Sequence, residues 1–136
     1  LICSRMRGIT RFSVVMSVGA LLSVTIAYFL LYARHQANLR DVLRLSDMRQ
    51  AENALTKLYL ATGSFGAAAK GCPSQGVMLA SCDFSFISLD LSQLRDPGRF
   101  SYVVRDVPAT AGYTIQFTLE RKHGSLSAGK HILTAK

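Results

Sequence analysis

The stretch Phe12–Ala33, FSVVMSVGALLSVTIAYFLLYA, decides the fold of this 136-residue chain. Its 22 residues include no charged side chain and no proline. At a helical rise of about 1.5 Å per residue, a run of this length crosses about 30 Å of hydrocarbon. We therefore predict a transmembrane helix over 12–33, which leaves roughly a hundred residues for one small domain.

The two alternative interpretations of this stretch are a cleavable secretory signal and a buried core helix. The run is long for the apolar region of a signal, and no A-x-A pattern follows it. Eighteen or more consecutive uncharged residues are atypical of the core helix of a soluble protein. A retained membrane anchor is the favoured interpretation.

The flanking charges predict how this helix is oriented. Arg5, Arg7 and Arg11 precede the apolar run, whereas Arg34 and His35 follow it. Basic residues in a short leading segment favour a cytoplasmic location for that segment. We therefore expect 1–11 to be a cytoplasmic basic tail and the chain beyond residue 33 to lie outside the inner membrane.

Small side chains within the apolar run suggest where another helix packs. Such residues allow two helices to approach closely in lipid. The alternative is that they face lipid and are merely tolerated. The predicted helix-packing residues in the membrane are Ser13, Ser17, Gly19, Ala20 and Ser23.

The helix is predicted to continue through 34–63 without interruption. The absence of proline before Pro73 favours one helix from about Thr10 to Thr62, ended by Gly63. A span, a loop and a separate helix form the alternative. Apolar residues at spacings of three and four predict a stripe that packs on the distal domain. These stripe residues are Leu45, Met48, Ala51, Leu55 and Leu58. The residues expected on its polar exterior are Arg40, Arg44, Asp47, Arg49 and Lys57.

Glycine, alanine and serine dominate the next region, 64–98, which we predict to be a loop region holding Cys72 and Cys82. Because the predicted compartment is oxidising, a disulfide between these cysteines is expected. Two unpaired thiols, or a metal site with the distant His123 and His131, are the alternatives.

The final region, 99–136, contains three strand-like runs, which we place at 99–107, 112–121 and 130–136. In the second run Tyr113, Ile115 and Phe117 alternate with polar residues, as in a half-buried strand. An antiparallel sheet of three strands needs a partner for its apolar face, and the helical stripe is the evident one. The predicted fold class is therefore α+β, a long helix packed on a small antiparallel sheet.

Four features together resemble the type IV pilin and pseudopilin superfamily, and most closely the G-type pseudopilins of type II secretion. The first is the apolar N-terminal helix that continues into RLSDMRQAENALTKLYLATGSF at 44–65, and the second is the loop that follows this helix. The third is the segment Leu94–Gly98, which leads into the tyrosine-bearing residues 100–102. The fourth is the strand 112–120. The resemblance implies a structural subunit of a secretion or pilus assembly in a bacterial inner membrane, with its distal domain in the periplasm.

The N-terminal segment departs from that family pattern. Typical members have a glutamate five residues after a glycine cleavage site. If Gly8 were that glycine, Ser13 would occupy the glutamate position, and Arg11 would place a charge in an apolar filament core. An accessory single-pass subunit of a larger photosynthetic, respiratory or transport complex is therefore the alternative function.

The sequence offers little that predicts catalysis or ligand binding. The sequence contains no G-x-S-x-G, Walker, H-E-x-x-H or C-x-x-C pattern, and its aspartates show no paired-carboxylate arrangement, so we expect neither an enzyme nor a cofactor. Asp106 with 107–112 offers one carboxylate, whereas calcium takes six to eight oxygen ligands. The net charge of +8 is spread along the chain without interleaved aromatics, which argues against nucleic acid. The expected partners are the lipid bilayer and other membrane subunits.

Overall fold

The computed structural model describes residues 5–72, 74–82, 93–109 and 111–135, with side chains from residue 12 onward. The chain forms two compact units, residues 1–36 and 37–136, which we call the N-terminal and the C-terminal unit. A long N-terminal helix is followed by a three-stranded antiparallel sheet, so the predicted α+β class is confirmed.

Helix α1 runs without interruption over Arg5–Thr62, 58 residues. The prediction of one helix is confirmed, and the alternative with an intervening loop is wrong. Gly63 ends the helix with a φ of +71°, and its N–H donates to the Tyr59 carbonyl at 2.7 Å. Of the predicted basic tail, residues 1–4 lie outside the described residues.

Three strands follow, β1 (Val103–Asp106), β2 (Tyr113–Leu119) and β3 (Gly129–Ala135). The sheet order is β1-β2-β3 with both pairings antiparallel. Ile115 at the centre of β2 lies opposite Val104 on β1 and Leu133 on β3.

The first two strands are shorter than predicted because side-chain carboxylates bind the backbone at their ends. Before β1, Asp96 Oδ1 accepts the N–H groups of Gly98 and Phe100 at 2.7 and 3.3 Å, which holds this segment in a turn. After β2, Asp41 accepts the N–H groups of Glu120 and Arg121 at 2.9 and 2.8 Å. These amides are therefore bound to α1 instead of continuing the sheet.

The core of the C-terminal unit lies between α1 and one face of the sheet. The β2 side chains alternate between buried and half-buried, as the sequence pattern predicts. The Phe65 ring stacks on Tyr59 and meets Tyr113 edge-on, with centroid distances of 4.8 and 4.9 Å. Six of the eight predicted helix–sheet packing residues belong to the buried core cluster, namely Met48, Ala51, Leu55, Tyr113, Ile115 and Phe117. The other two, Leu45 and Leu58, are partly buried and pack against it.

The predicted loop region 64–98 is only partly irregular. It contains the short helix α2 (Gly66–Ala69) and a 3-10 turn at Leu79–Ser81. Ala68 and Leu79 are buried in the core, which explains why these segments are ordered locally. Residues 83–92 of this region lie outside the described residues.

A disulfide joins Cys72 and Cys82, as predicted, with their Cα atoms 4.6 Å apart. Both cysteines are buried in the core cluster. The segment that they enclose lies along β1, where the N–H groups of Gly76 and Leu79 donate to the carbonyls of Val104 and Tyr102 at 2.8 Å each. The disulfide loop therefore covers the outer edge of β1.

Candidate functional site: an exposed apolar helix and a buried ion-pair cluster

The N-terminal unit presents an apolar surface on every side of its helix. Large side chains from Phe12 to Tyr32 are between half and more than two-thirds exposed; for example, Leu21 is 69% and Tyr32 52% exposed. This helix is long and apolar enough to cross a membrane, and it lies near the N-terminus. The surface is therefore of the kind that requires a lipid or protein partner.

The predicted membrane-packing residues Ser13, Ser17, Gly19, Ala20 and Ser23 are all exposed on this helix. Two of the hydroxyls bind their own helix: Ser17 Oγ donates to the Ser13 carbonyl at 2.9 Å, and Ser23 Oγ to the Gly19 carbonyl at 2.7 Å. These bonds remove the need for a polar partner in lipid. Packing against a second helix stays a prediction.

The exposed apolar surface of α1 also continues within the C-terminal unit. Leu39, Val42 and Leu43 are 44%, 45% and 52% exposed. They lie on the side of the helix that faces away from the buried Asp41 and Arg44. We call Leu39, Val42 and Leu43 the outer apolar row.

A cluster of five charged side chains joins α1 to the rest of the C-terminal unit. Its centre is Arg44, whose side chain is fully buried. Arg44 donates through Nε and Nη2 to Asp96 at 2.5 and 2.9 Å, and through Nη1 to Asp41 at 2.7 Å. The side chains of Asp41 and Asp96 are 0% and 1% exposed. Every charge at the centre is therefore removed from water and paired.

The outer part of the cluster is formed by Glu120 and Arg40. Arg44 Nη1 also donates to Glu120 Oε1 at 2.8 Å, and Arg40 binds both Glu120 oxygens at 2.7 Å. The Arg40 side chain is 32% exposed and that of Glu120 19%. The two arginines thus bind all three carboxylates through geometrically matched bonds, and the five side chains together carry a net charge of −1.

The turn at Asp96 depends on Gly98. A Cβ atom at Gly98 would lie 2.8 Å from Arg44 Nη2 and 3.2 Å from Arg40 Cδ. Glycine is therefore required here because the loop approaches the two guanidinium groups closely. The adjacent Phe100 ring contributes a cation–π contact, with Arg44 Cζ 5.0 Å from its centroid.

A second polar link lies one turn of α1 further on. Tyr102 Oη donates to Asp47 Oδ2 at 2.8 Å. Burial raises the pKa of Asp47 and outweighs the opposing effect of this hydrogen bond. Burial and the bond to Asp47 together hold the pKa of Tyr102 far above its usual value. The tyrosine is therefore a hydrogen-bond donor throughout the physiological pH range.

The pairing in the cluster also shifts the pKa values of its members. The hydrogen bond from Arg40 is the main cause that lowers the pKa of Glu120 to about 2. For Asp96, burial opposes ionisation, but the bonds from Arg44 and the Gly98 amide lower its pKa overall. Glu120 and Asp96 are therefore ionised at neutral pH.

The prediction that Arg44 lies on the polar exterior of α1 is wrong, because its side chain is fully buried. Asp41 and Arg44 continue the spacing of Met48, Ala51 and Leu55, so they lie on the buried face. This helical spacing is the feature of the sequence that could have predicted their burial. Charged residues that fall on an apolar stripe require partners from elsewhere in the chain. The sequence could not show that Asp96 and Glu120 are those partners.

The described side chains include no group of metal-ligating residues. No three His, Cys, Asp or Glu residues there are grouped so as to hold a metal ion. His131 Nε2 lies 2.7 Å from the Ser127 carbonyl, and its ring contacts Phe117 at 5.6 Å. Asp106, the carboxylate weighed for calcium, is exposed. The ion-pair cluster therefore joins segments of the fold.

Comparisons with protein-family models, curated proteins and solved structures find no match to this chain. The architecture itself is pilin-like, because a long N-terminal apolar helix is followed by a small antiparallel sheet. The outer apolar row and the N-terminal helix are exposed apolar surfaces that could bind lipid or another protein.

Proposed function

We propose that this chain is a non-catalytic, single-pass membrane protein of the pilin or pseudopilin type. It would act as a structural subunit of a membrane-anchored secretion or pilus assembly. The observation that supports this most directly is the exposure of large apolar side chains all around α1 from Phe12 to Tyr32. Such a surface is stable in lipid or against other apolar helices and not in water.

The proposed location is a bacterial inner membrane, with the N-terminus in the cytoplasm and the C-terminal unit in the periplasm. Arg5, Arg7 and Arg11 before the apolar run support this orientation through the positive-inside rule. The Cys72–Cys82 disulfide supports an oxidising compartment for the C-terminal unit.

Membrane insertion and orientation can be tested on the full chain in bacteria. We expect the protein to stay in the membrane fraction after carbonate extraction. A reporter enzyme that requires an oxidising compartment should be active when it is fused after Lys136. Extraction by carbonate, or activity only of a reporter that requires the cytoplasm, would contradict the proposal.

The second candidate is an accessory subunit of a larger inner-membrane complex. It is favoured by Ser13 and Arg11, which replace an acidic and an apolar position of the family pattern. The partners would then be different membrane proteins instead of further copies of this chain.

Two measurements separate these candidates. The first is the intact mass of the native protein. A mass that corresponds to a chain starting at Ile9 indicates a processed filament subunit, whereas a mass that includes residues 1–8 favours an accessory subunit. A photoreactive residue at Leu43 should cross-link to other copies in the first case and to other subunits in the second. The same probe at the exposed Asn53, outside the outer apolar row, is the control.

A further inference from the structure

Three exposed basic residues, Arg99, Arg121 and Lys122, adjoin members of the ion-pair cluster of the C-terminal unit, and we call them the basic rim. Arg99 lines a shallow cavity of about 340 Å³ together with Arg40, Gly98 and Glu120. Arg121 and Lys122 directly follow Glu120, a member of the cluster.

The carboxylates next to the basic rim already have arginine partners, and the cluster keeps a net charge of −1. Asp41, Asp96 and Glu120 are each bonded to Arg44, and Glu120 also to Arg40. Within the described residues, the rim side chains form no ion pair. Arg99 makes a long cation–π contact, with its Cζ 5.7 Å from the centroid of the Phe100 ring. The three positive charges of the rim therefore exceed the net negative charge of the cluster by two.

We propose that the basic rim binds the phosphate groups of anionic phospholipids. Asp41 Oδ2 accepts the Arg121 N–H at 2.8 Å and so ties the rim to α1. Only seven residues separate Asp41 from Ala33, where the apolar run ends. Guanidinium groups bind phosphate through paired N–H donors, and ammonium groups bind it as point charges.

This inference rests on the membrane insertion described under the proposed function. Each basic side chain near an anionic bilayer contributes about fivefold to affinity, so three contribute about a hundredfold at most. Free phosphate offers the same chemistry, but the cavity that Arg99 lines is shallow and open to solvent, which suits a headgroup at a surface better than an enclosed ion. Nucleic acid is disfavoured because no exposed aromatic side chain alternates with the rim residues.

The experiment uses the full chain in a neutral detergent and measures bound lipid by native mass spectrometry. Phosphatidylglycerol and phosphatidylcholine are offered in equal amounts. We compare the native chain with the triple variant R99Q/R121Q/K122Q. The matched control, R49Q/K57Q/K130Q, removes three exposed positive charges elsewhere on the unit. A charge-preserving variant, R99K/R121K, tests whether charge or the guanidinium shape decides binding.

We expect the native chain to prefer phosphatidylglycerol, and the triple variant to reduce that preference at least tenfold. The control and R99K/R121K should change it by less than threefold. Equal preference in the native chain and the triple variant would overturn the inference. So would an equal loss in the control, or displacement of the lipid by millimolar inorganic phosphate or by a single-stranded oligonucleotide.

Flotation with phosphatidylcholine vesicles tests membrane insertion separately from lipid binding by the basic rim. A native chain that does not float contradicts the proposed function and this inference with it. If the native chain and all variants float equally and no lipid preference exists, only the lipid-binding role of the rim is wrong. Far-ultraviolet circular dichroism must match between the variants. If the triple variant is misfolded, the double variant R121Q/K122Q replaces it, with a smaller loss of preference expected because one basic residue remains.

Discussion

Arg44 and Asp96 form a two-point ion pair from which water is excluded, although they lie 52 residues apart in the sequence. Their side chains are 0% and 1% exposed. The pair fastens α1 to the turn before β1, while Asp41 on the same helix turn binds the backbone after β2. A single turn of α1 therefore fixes the segments at two strand ends.

Replacing Arg44 should destabilise the C-terminal unit strongly. In R44M, Asp41 and Asp96 remain buried without their guanidinium partner, and a loss of about 3–5 kcal/mol in unfolding free energy is expected. R49M, at an exposed arginine of the same helix, should change stability by less than about 0.5 kcal/mol. Chemical denaturation of the full chain in detergent, followed by near-ultraviolet circular dichroism of the tyrosines, measures both. Equal midpoints for the two variants would show that the cluster is not stabilising.

Acid should weaken the unit through Glu120. Its pKa is lowered to about 2 in the folded state from an ordinary value of 4.5, so the ionised form stabilises the fold above pH 4.5. That contribution decreases as the pH falls from 4.5 towards 2. The difference in melting temperature between the native chain and E120Q should therefore shrink over this interval. A constant difference from pH 5 to pH 2 would contradict the assignment.

Two buried tyrosines should respond differently to loss of the hydroxyl. Y102F removes the bond to Asp47, and we expect a loss of about 1.5–3 kcal/mol. The buried Tyr113 hydroxyl has no hydrogen-bond partner among the described residues, and burial raises its pKa to about 12. Y113F should therefore be neutral or stabilising by up to about 1 kcal/mol. Denaturation midpoints in the reverse order would be inconsistent with this structure.

Adding one methyl group at Gly98 should disturb the ion-pair cluster. In G98A the new Cβ would lie within 2.8 Å of Arg44 Nη2, so the guanidinium or the turn must move. We expect a loss of about 1–3 kcal/mol, typical of overpacking. G19A makes the same change where nothing lies within 4 Å, and it should leave the melting temperature of the C-terminal unit unchanged. A G98A chain as stable as the native one would exclude this close approach.

The disulfide should stabilise the C-terminal unit by a moderate amount. The two cysteines are 10 residues apart, for which the loop-closure model gives about 2–3 kcal/mol. The C72A/C82A variant should lose about that much in denaturation. Alkylation should increase the mass of the native chain at these positions only after reduction. Labelling without reduction would mean that the bond is absent.

Periodicity was sufficient to predict the main elements of this fold. The uncharged run and the lack of helix breakers predicted α1, and the alternation around Ile115 predicted β2, because these patterns report local geometry directly. The disulfide between Cys72 and Cys82 was predictable because the expected compartment is oxidising. These are properties that neighbouring residues determine without knowledge of the tertiary structure.

The ends of the strands and the ion-pair cluster were not predictable in the same way. β1 begins at Val103 and not at residue 99 because the Asp96 side chain holds the preceding amides. β2 ends at Leu119 because Asp41, 78 positions earlier in the sequence, binds the next two amides. Such pairings depend on which distant segments meet, and a single sequence carries no local pattern for them.

The two edges of the sheet differ in a way that bears on growth by strand addition. The disulfide loop already occupies the outer side of β1 through the bonds at Gly76 and Leu79. Among the described residues, no backbone hydrogen bond reaches the far side of β3, and Ile132 there is 60% exposed. An incoming β-strand, from whatever protein, thus finds vacant donors and acceptors beside β3 and a blocked approach beside β1.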